Sequence, residues 1–487
     1  MAKPIHELYE DFAKGRISRR DLIKRAAVAG AATPAIVNFL DNPSSASAAP
    51  KKHFSLTRTF GQDGAKLQPP PAGGDTSEQL IFRGWNYRPE VVQDNTAKFN
   101  AAYTESVDYQ TITGDYIGIM ENFHITNQPL DMAYSNPSTL FRWSVPGWIH
   151  DYESWWSVDD ARGEMYDGVR DSMTINGKLT GLPYFVSCRG TMATNKVILD
   201  KAGVTAEQYP KTWTELYDMC RQLKSSGAAE TPFLPHWFTA GVWFGVSWGY
   251  LFECLNRGAV LFDDATNAPV FDDASLGILQ EWRKLLEDGI VPESVFTMGE
   301  ADWIDAFAKG TYAFSPQQTY DLKVFNDPAV SQIAGQVVAL PVNGQSWGMI
   351  DEGIYSIPSR NDSPEKLARK YQLGGYFGYR DEQNNIAVAK RWAIEAALNS
   401  GYKSILQDEE VIAAYNSWLP NPEMLTTLNG VLEAAPFAKV WQTFWWEEWN
   451  AQAMTEIPKA ILGQSTVEEV HAGLKKLAEE LVERYQF

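Results

Sequence analysis

Gln79-Leu80-Ile81-Phe82-Arg83-Gly84-Trp85, followed by an apolar-periodic stretch over 89–102, decides the fold of this chain. The first segment reads as a buried strand. The second reads as a helix with Pro89 in its first turn, where a missing N–H costs nothing. Residues 106–112 make a second strand and 130–134 a third, closed by Ser135-Asn136-Pro137. Short apolar strands separated by helices pair in parallel, so the alternation predicts an open α/β sheet. In such sheets ligands bind outside the carboxyl ends of the strands. Trp85, Asn86, Tyr87, Tyr134, Ser135 and Asn136 fall at those ends and are candidate contacts. The alternative is that Asn136-Pro137 only turns the chain and Trp85 caps the core.

Later segments carry more helix. Thr212-Trp213-Thr214-Glu215 is a capping-box start, residues 272–288 and 363–379 have amphipathic spacing, and Ser465-Thr466-Val467-Glu468-Glu469 opens a last helix toward Tyr485. Pro69-Pro70-Pro71-Ala72-Gly73-Gly74 is too broken for an element, so 49–77 reads as a linker or N-terminal arm.

Ahead of that arm, Ser18-Arg19-Arg20-Asp21-Leu22-Ile23-Lys24 precedes a mild apolar run over 26–40 and then Ala46-Ser47-Ala48. Basic flank, short apolar stretch and small-residue site are the parts of an export signal, and the paired arginines resemble a twin-arginine address over 1–48. The run is too short to span a bilayer and Pro34 interrupts it. Cleavage near Ala48 moves the formal net charge from −19 to −21, since residues 1–48 hold seven Lys/Arg and five Asp/Glu. So acidic a chain is a poor partner for nucleic acid or anionic lipid. About 440 residues remain, enough for two lobes with separate cores.

Cys188, Cys220 and Cys254 match neither a zinc ribbon nor a CxxC pair and read as packing residues, with a Cys220–Cys254 bridge as the open alternative. Six scattered histidines include no HExxH, so neither a metal nor another cofactor is expected. Eighteen tryptophans and twenty-one tyrosines suit a core and also a site that stacks on C–H faces while offering N–H and O–H groups at its edge.

From Asn176-Gly177-Lys178-Leu179-Thr180-Gly181-Leu182-Pro183-Tyr184 onward the chain resembles the extracellular solute-binding proteins of the maltose-binding type, the receptors of sugar-importing ABC transporters. The likeness continues in order through Asn195-Lys196, Lys201-Ala202-Gly203, Pro210-Lys211-Thr212-Trp213, Phe262-Asp263-Asp264, Pro269-Val270-Phe271-Asp272, Phe307-Ala308-Lys309-Gly310, Ala339-Leu340-Pro341 and Gly353-Ile354. Asn-Gly is a hairpin turn of positive φ, and Lys309-Gly310 is a basic helix end with a glycine cap.

The resemblance implies a two-lobe periplasmic binding protein fold of type II, with a ligand cleft between α/β lobes joined by crossing hinge strands near 186–190 and 347–351. It divides the chain into lobe I, 78–187 plus 350–395, and lobe II, 188–349 plus 396–487. Its ligand positions map onto Trp85, Asn86, Tyr87 and Arg88, onto Tyr134, Ser135 and Asn136, onto Trp237 with Trp243 nearby, onto Tyr320, and onto Trp441 or Trp445 in a late aromatic run. It further implies a periplasmic monomer, a small-molecule solute of carbohydrate or polyol type, and an ABC permease as partner.

Two other readings make different demands. An anionic or nitrogenous solute, such as a sugar phosphate, needs cationic groups at the cleft, with Arg88, Arg142 or Arg189 pointing inward. A secreted glycosidase needs two carboxylates across a scissile bond, and Asp351 with Glu352 is the pair on offer, otherwise turn or hinge residues.

Overall fold

The computed structural model describes residues 66–70, 78–344, 346–381 and 383–485. The segment read as an export signal and most of the arm lie outside the described residues.

Strands β1 (Leu80–Trp85), β2 (Val107–Ile112) and β3 (Met132–Ser135) are parallel, with β1 in the middle and Phe82 opposite both Tyr109 and Met132. Helices Pro89–Tyr103 and Tyr116–Thr126 make the crossovers, the first with proline in its opening turn. The third strand begins two residues later than its apolar run suggests, because Asp131 turns aside. One of its oxygens accepts the Ile81 N–H at 2.7 Å and the other meets the fully buried Lys370 ammonium at 3.0 Å.

A short β4 (Ile149–His150) follows, then a hairpin of β5 (Thr174–Ile175) and β6 (Lys178–Leu179). Its turn is Asn176-Gly177, with φ of 51° and 75°, the left-handed pair that this dipeptide supplies. β7 (Leu182–Arg189) runs on from the hairpin to the edge of a second sheet, the antiparallel trio of β8 (Thr191–Asn195), β9 (Phe314–Gln317) and β10 (Val337–Ala339), with β8 central. The chain returns in β11 (Met349–Pro358), which lies antiparallel between β3 and β7 and completes the first sheet.

The two crossings touch backbone to backbone. Gly190 has φ of 111°, and a Cβ on it would lie 2.6 Å from the Gly348 Cα; one on Gly348 would lie 1.9 Å from the Arg189 carbonyl oxygen. A third connection, missed in the sequence, passes beside them: the Ile350 N–H donates to Pro436 O at 2.9 Å, and the Gln442 amide donates to the Asp171 and Ser172 carbonyls.

Helices Asp321–Phe325 and Glu423–Ala434 lie against β10 of the second sheet, and helices Trp213–Ser225, Val246–Arg257, Asp273–Glu287, Trp446–Ile461 and Val467–Arg484 form a group packed on one another, Trp446–Ile461 touching three of the others and Trp213 meeting Phe252. Their starts are legible: the Thr212, Asp272 and Thr466 side chains each accept the N–H three residues on. Buried Glu253 ties three of them together, accepting from Tyr217 Oη and Trp282 Nε1 at 2.7 Å each and from Arg257 at 2.8 Å. All three cysteines are buried and free, so no Cys220–Cys254 bridge exists. Residues 396–418 pack with the first sheet's helices; Tyr402 Oη donates to Gly378 O at 2.6 Å and Ser404 to Glu164. Among the described residues no helix is long and apolar enough to cross a membrane.

A methyl group at the crossing has nowhere to go, since both neighbours are backbone. Gly348→Ala is expected to destabilise by about 3 kcal/mol, read as a lower urea midpoint with the slope unchanged, whereas alanine at Gly277, which faces open space, leaves the midpoint within ~1 kcal/mol.

Candidate interlobe binding cleft

β1 ends in the first wall of the cleft. Gly84 has no side chain because the Tyr134 ring lies across it: a Cβ would sit 2.5 Å from Tyr134 Cε2. Tyr134 stacks on Tyr184 of β7 at 4.6 Å with rings parallel to within 2°, and Trp85 lies over both, at 4.7 Å and 5.9 Å. Tyr134 is therefore wholly buried and supports Trp85, which is only half-buried. Asn86 and Tyr87 project beyond, Tyr87 being 41% exposed with Trp392 at 6.0 Å. Arg88 takes a left-handed φ of 41° and reaches Glu90 and Glu395, each at 3.4 Å. Asn136 caps helix Pro137–Ser144, its side chain accepting the Thr139 N–H, so its first duty is structural. Ser135 Oγ and Tyr184 Oη are buried without a hydrogen-bond partner.

The floor is built at the crossing. Arg189, its side chain 7% exposed, donates from Nε to Asp351 at 2.9 Å, meets Glu300 through Nη1 at 3.3 Å, and lies over the rings of Phe244 and Trp248 at 4.5 Å and 5.3 Å. His236 completes the clamp. Its Nδ1 faces Gly245 O at 2.9 Å, which places the proton there and leaves Nε2 to accept from Arg189 Nη1 at 3.2 Å. Burial, reinforced by Arg189, pushes the imidazole down to about 3, so this tautomer stays neutral. Gln318 donates to Asp351 at 2.8 Å, while its own Oε1 is buried and unpartnered.

Tyr320 is half-buried, 6.3 Å from Phe185 and within electrostatic reach of Arg189 and Glu300. Beside it, Asp321 accepts the Gln318 N–H at 3.0 Å; burial and then the Glu300 charge push its carboxyl up to about 7. Asp321 also acts electrostatically on Tyr87 of the opposite wall.

Contacts between the walls bracket this space. On one side Ser138 Oγ donates to Glu447 at 2.6 Å and Phe141 meets Phe444 edge to face at 5.1 Å. On the other the Lys323 ammonium donates to the carbonyls of Ile394 and Glu395 at 3.3 Å and 3.0 Å.

The structure thus brings together Trp85, Asn86, Tyr87, Arg88 and Tyr320. Trp243, 48% exposed, stands over Phe244 and Trp248 at 5.3 Å from each and belongs with them. Trp237, Trp441 and Trp445 lie in the core instead: Trp237 packs on Trp282 at 4.8 Å, Trp441 on Trp248 at 4.5 Å, and Trp445 on Phe262 at 5.3 Å. Local spacing cannot tell an inward ring from a cleft ring when both flank a helix start. Asp321 and Phe244 were missed although each is the next residue after a named candidate, and Glu300 and Trp248 because they lie outside the matched motifs. Among the described residues no group of His, Cys, Asp and Glu is placed to hold a metal ion.

Two α/β lobes, crossing strands and a clamped arginine at the cleft floor define a hinged binding protein. Residues 86–370 match the family model described as bacterial extracellular solute-binding protein, and the chain belongs to that family. The fold is similar to maltose-bound MalE3 of T. maritima (TM-score 0.65, 19% identity, covering 83% of this chain and 99% of that one). It is also similar to the sugar-binding protein MalE of Xanthomonas citri (0.68, 17%, 84% and 98%) and to an Agrobacterium vitis ABC transporter solute-binding protein with bound D-mannitol (0.63, 17%, 84% and 99%). In sequence, 102 residues are 34% identical to the sn-glycerol-3-phosphate-binding periplasmic protein UgpB of Agrobacterium fabrum, a match over 20% of this chain and 23% of that protein.

Asp321 has a folded pKa above its unfolded value, so its contribution is most favourable below about pH 4 and is lost as pH rises toward 7. Asp321→Asn keeps the Gln318 contact and removes the ionisation. Wild type is expected to lose ~3 kcal/mol relative to this variant between pH 4 and 7.5, checked by urea melts of both across that range.

Proposed function

We propose that this protein is the exported receptor of an ABC importer, capturing a small polyhydroxylated solute, a sugar, oligosaccharide or polyol, by closing two lobes around it and presenting the closed form to the permease. The observation that carries this reading is the pairing of aromatic faces with hydrogen-bonding groups across the cleft. Trp85 and Tyr87 stand on one wall, Tyr320 and Trp243 on the other, with Asn86 and Gln318 among them. Rings of this kind stack on the C–H faces of a polyol while amides and carboxylates take its hydroxyls. Closure then discriminates, because a solute that leaves a buried polar group unpaired forfeits roughly 1–3 kcal/mol per group.

The same reading keeps 1–48 as a twin-arginine signal, 49–77 as an arm, and the mature chain as a periplasmic monomer. It assigns 78–187 and 350–395 to the first lobe and 188–349 to the second, with 396–418 joining the first lobe by its contacts and the helices after 445 joining the second.

The anionic alternative has the partial likeness to UgpB in its favour, but it calls for arginines free to meet an anion. Arg88 is paired with Glu395, Arg142 with Glu121, and Arg189 with Asp351. The glycosidase reading fares less well still: Asp351 is engaged by Arg189, and Glu352 lies buried on the opposite face of the same strand.

The test is a thermal-shift screen of the mature protein against sugars, polyols, sugar phosphates, amino acids and organic acids. A true solute stabilises by about 2.7 kcal/mol at one hundred times its Kd. A sugar or polyol hit is expected, weakened about tenfold by Tyr87→Ala through loss of one stacking face; silence from every carbohydrate and polyol would overturn the assignment.

A further inference from the structure

The cleft floor carries more negative than positive charge, with the carboxylates of Asp351 and Glu300 against the one guanidinium of Arg189. Its one buried cation, Arg189, is spent on Asp351, Glu300 and the His236 lone pair. Arg88 and Lys323 at the mouth are held by Glu90 and Glu395 and by two backbone carbonyls. Glu395 is also paired with Arg391 at 2.7 Å, and Arg391 with Asp94, so the mouth is balanced; the surplus lies at the floor, where Asp351 and Glu300 stand against Arg189 and Asp321 adds to the negative side as it ionises. Of the carboxylates in contact with Arg189, Asp351 is 14% exposed and already accepts from both Arg189 and Gln318. Glu300 is 32% exposed and is touched by Arg189 through a single long contact of 3.3 Å. Its second oxygen and its open side are therefore the charge that an incoming solute meets. Beside Asp351, Gln318 Oε1 is 1% exposed by residue and has no donor. Such a surface asks for O–H or N–H donors. A phosphate or carboxylate brings none and adds a like charge.

We propose that Glu300 is the specificity-determining residue of the cleft, selecting neutral or amine-bearing polyhydroxylated solutes and rejecting anionic ones. This rests on the solute-receptor reading above and adds its charge class. Glu300 sits on the first residue of helix Glu300–Ala308, and the preceding Gly299 is pressed against Ala240 O, so the side chain is carried at a fixed place beside the 239–245 loop rather than on a mobile arm. A unit charge a few ångströms from a second in a partly dehydrated cleft shifts affinity by about tenfold or more.

The experiment is calorimetric titration of wild type, Glu300→Gln and Glu300→Asp with matched probes: D-glucose, D-glucosamine and D-glucose 6-phosphate, and glycerol with glycerol 3-phosphate, at low ionic strength. Wild type is expected to bind the neutral or amine-bearing member of a set at least tenfold more tightly than its phosphate. Glu300→Gln is expected to narrow the phosphate-to-neutral ratio about tenfold and to lose any preference for the amine, while Glu300→Asp retains the wild-type order. Thermal melts confirm that each variant is folded before titration. A phosphate bound more tightly than its neutral parent by wild type, or a ratio that Glu300→Gln does not move, would overturn the inference and leave the solute-receptor reading standing. No binding of any probe to wild type, extended to the full solute screen, would overturn both.

Discussion

Two glycines hold this molecule together by getting out of the way. Where β7 passes into β8 and the return strand passes into β11, the backbones of Gly190 and Gly348 lie closer than any side chain permits. Everything functional hangs on that approach. It sets Arg189 and Asp351, the last and third residues of facing strands, side by side at the cleft floor, and the β7–β11 ladder runs from Met349 opposite Arg189 to Tyr355 opposite Leu182 with one register shift, between Gly353 and Ile354. A single stiff ladder at the base, with the lobes above it, is a geometry in which small rotations at the crossing become large movements at the rim.

The electrostatics of the floor follow from the same contact. An arginine this deeply buried is tolerable only when its donors are taken, and here carboxylates, an imidazole lone pair and two aromatic faces take them. The cost of that arrangement is that the guanidinium is no longer available to a guest. Placing one cation between two carboxylates makes the site rigid and leaves its surplus charge negative, in keeping with the acidic character of the chain as a whole.

Much of the architecture could be read in advance, because its signals are local. The strand–helix alternation from Leu80 to Ser135, the Asn176-Gly177 turn, and the caps at Thr212, Asp272 and Thr466 each depend on a few neighbouring residues. The start of β3 was misplaced by two residues, since Asp131 answers to Lys370, far along the chain. The candidate site was legible in its rings, Trp85 and Tyr87 on one wall and Tyr320 and Trp243 on the other, but not in its charged floor. Trp85 to Arg88 follow a strand end and so declare themselves, whereas Glu300 and Asp321 reach Arg189 only through the fold. Aromatic residues misled for the opposite reason: Trp237, Trp441 and Trp445 share their composition with cleft rings, and only packing separates them.

The chain passes between the lobes three times, and this bears on how the protein is made. The first sheet lacks its inner antiparallel strand until Met349–Pro358 has been synthesised, and the second lobe lacks two of its helices until Trp446–Ile461 and Val467–Arg484 exist. The first lobe has its last element, residues 396–418, before those two helices are made, so its core can close while the second lobe waits. Pairings this distant along the chain fold slowly. The core of the second lobe is the later of the two to close, since it waits for Val467–Arg484.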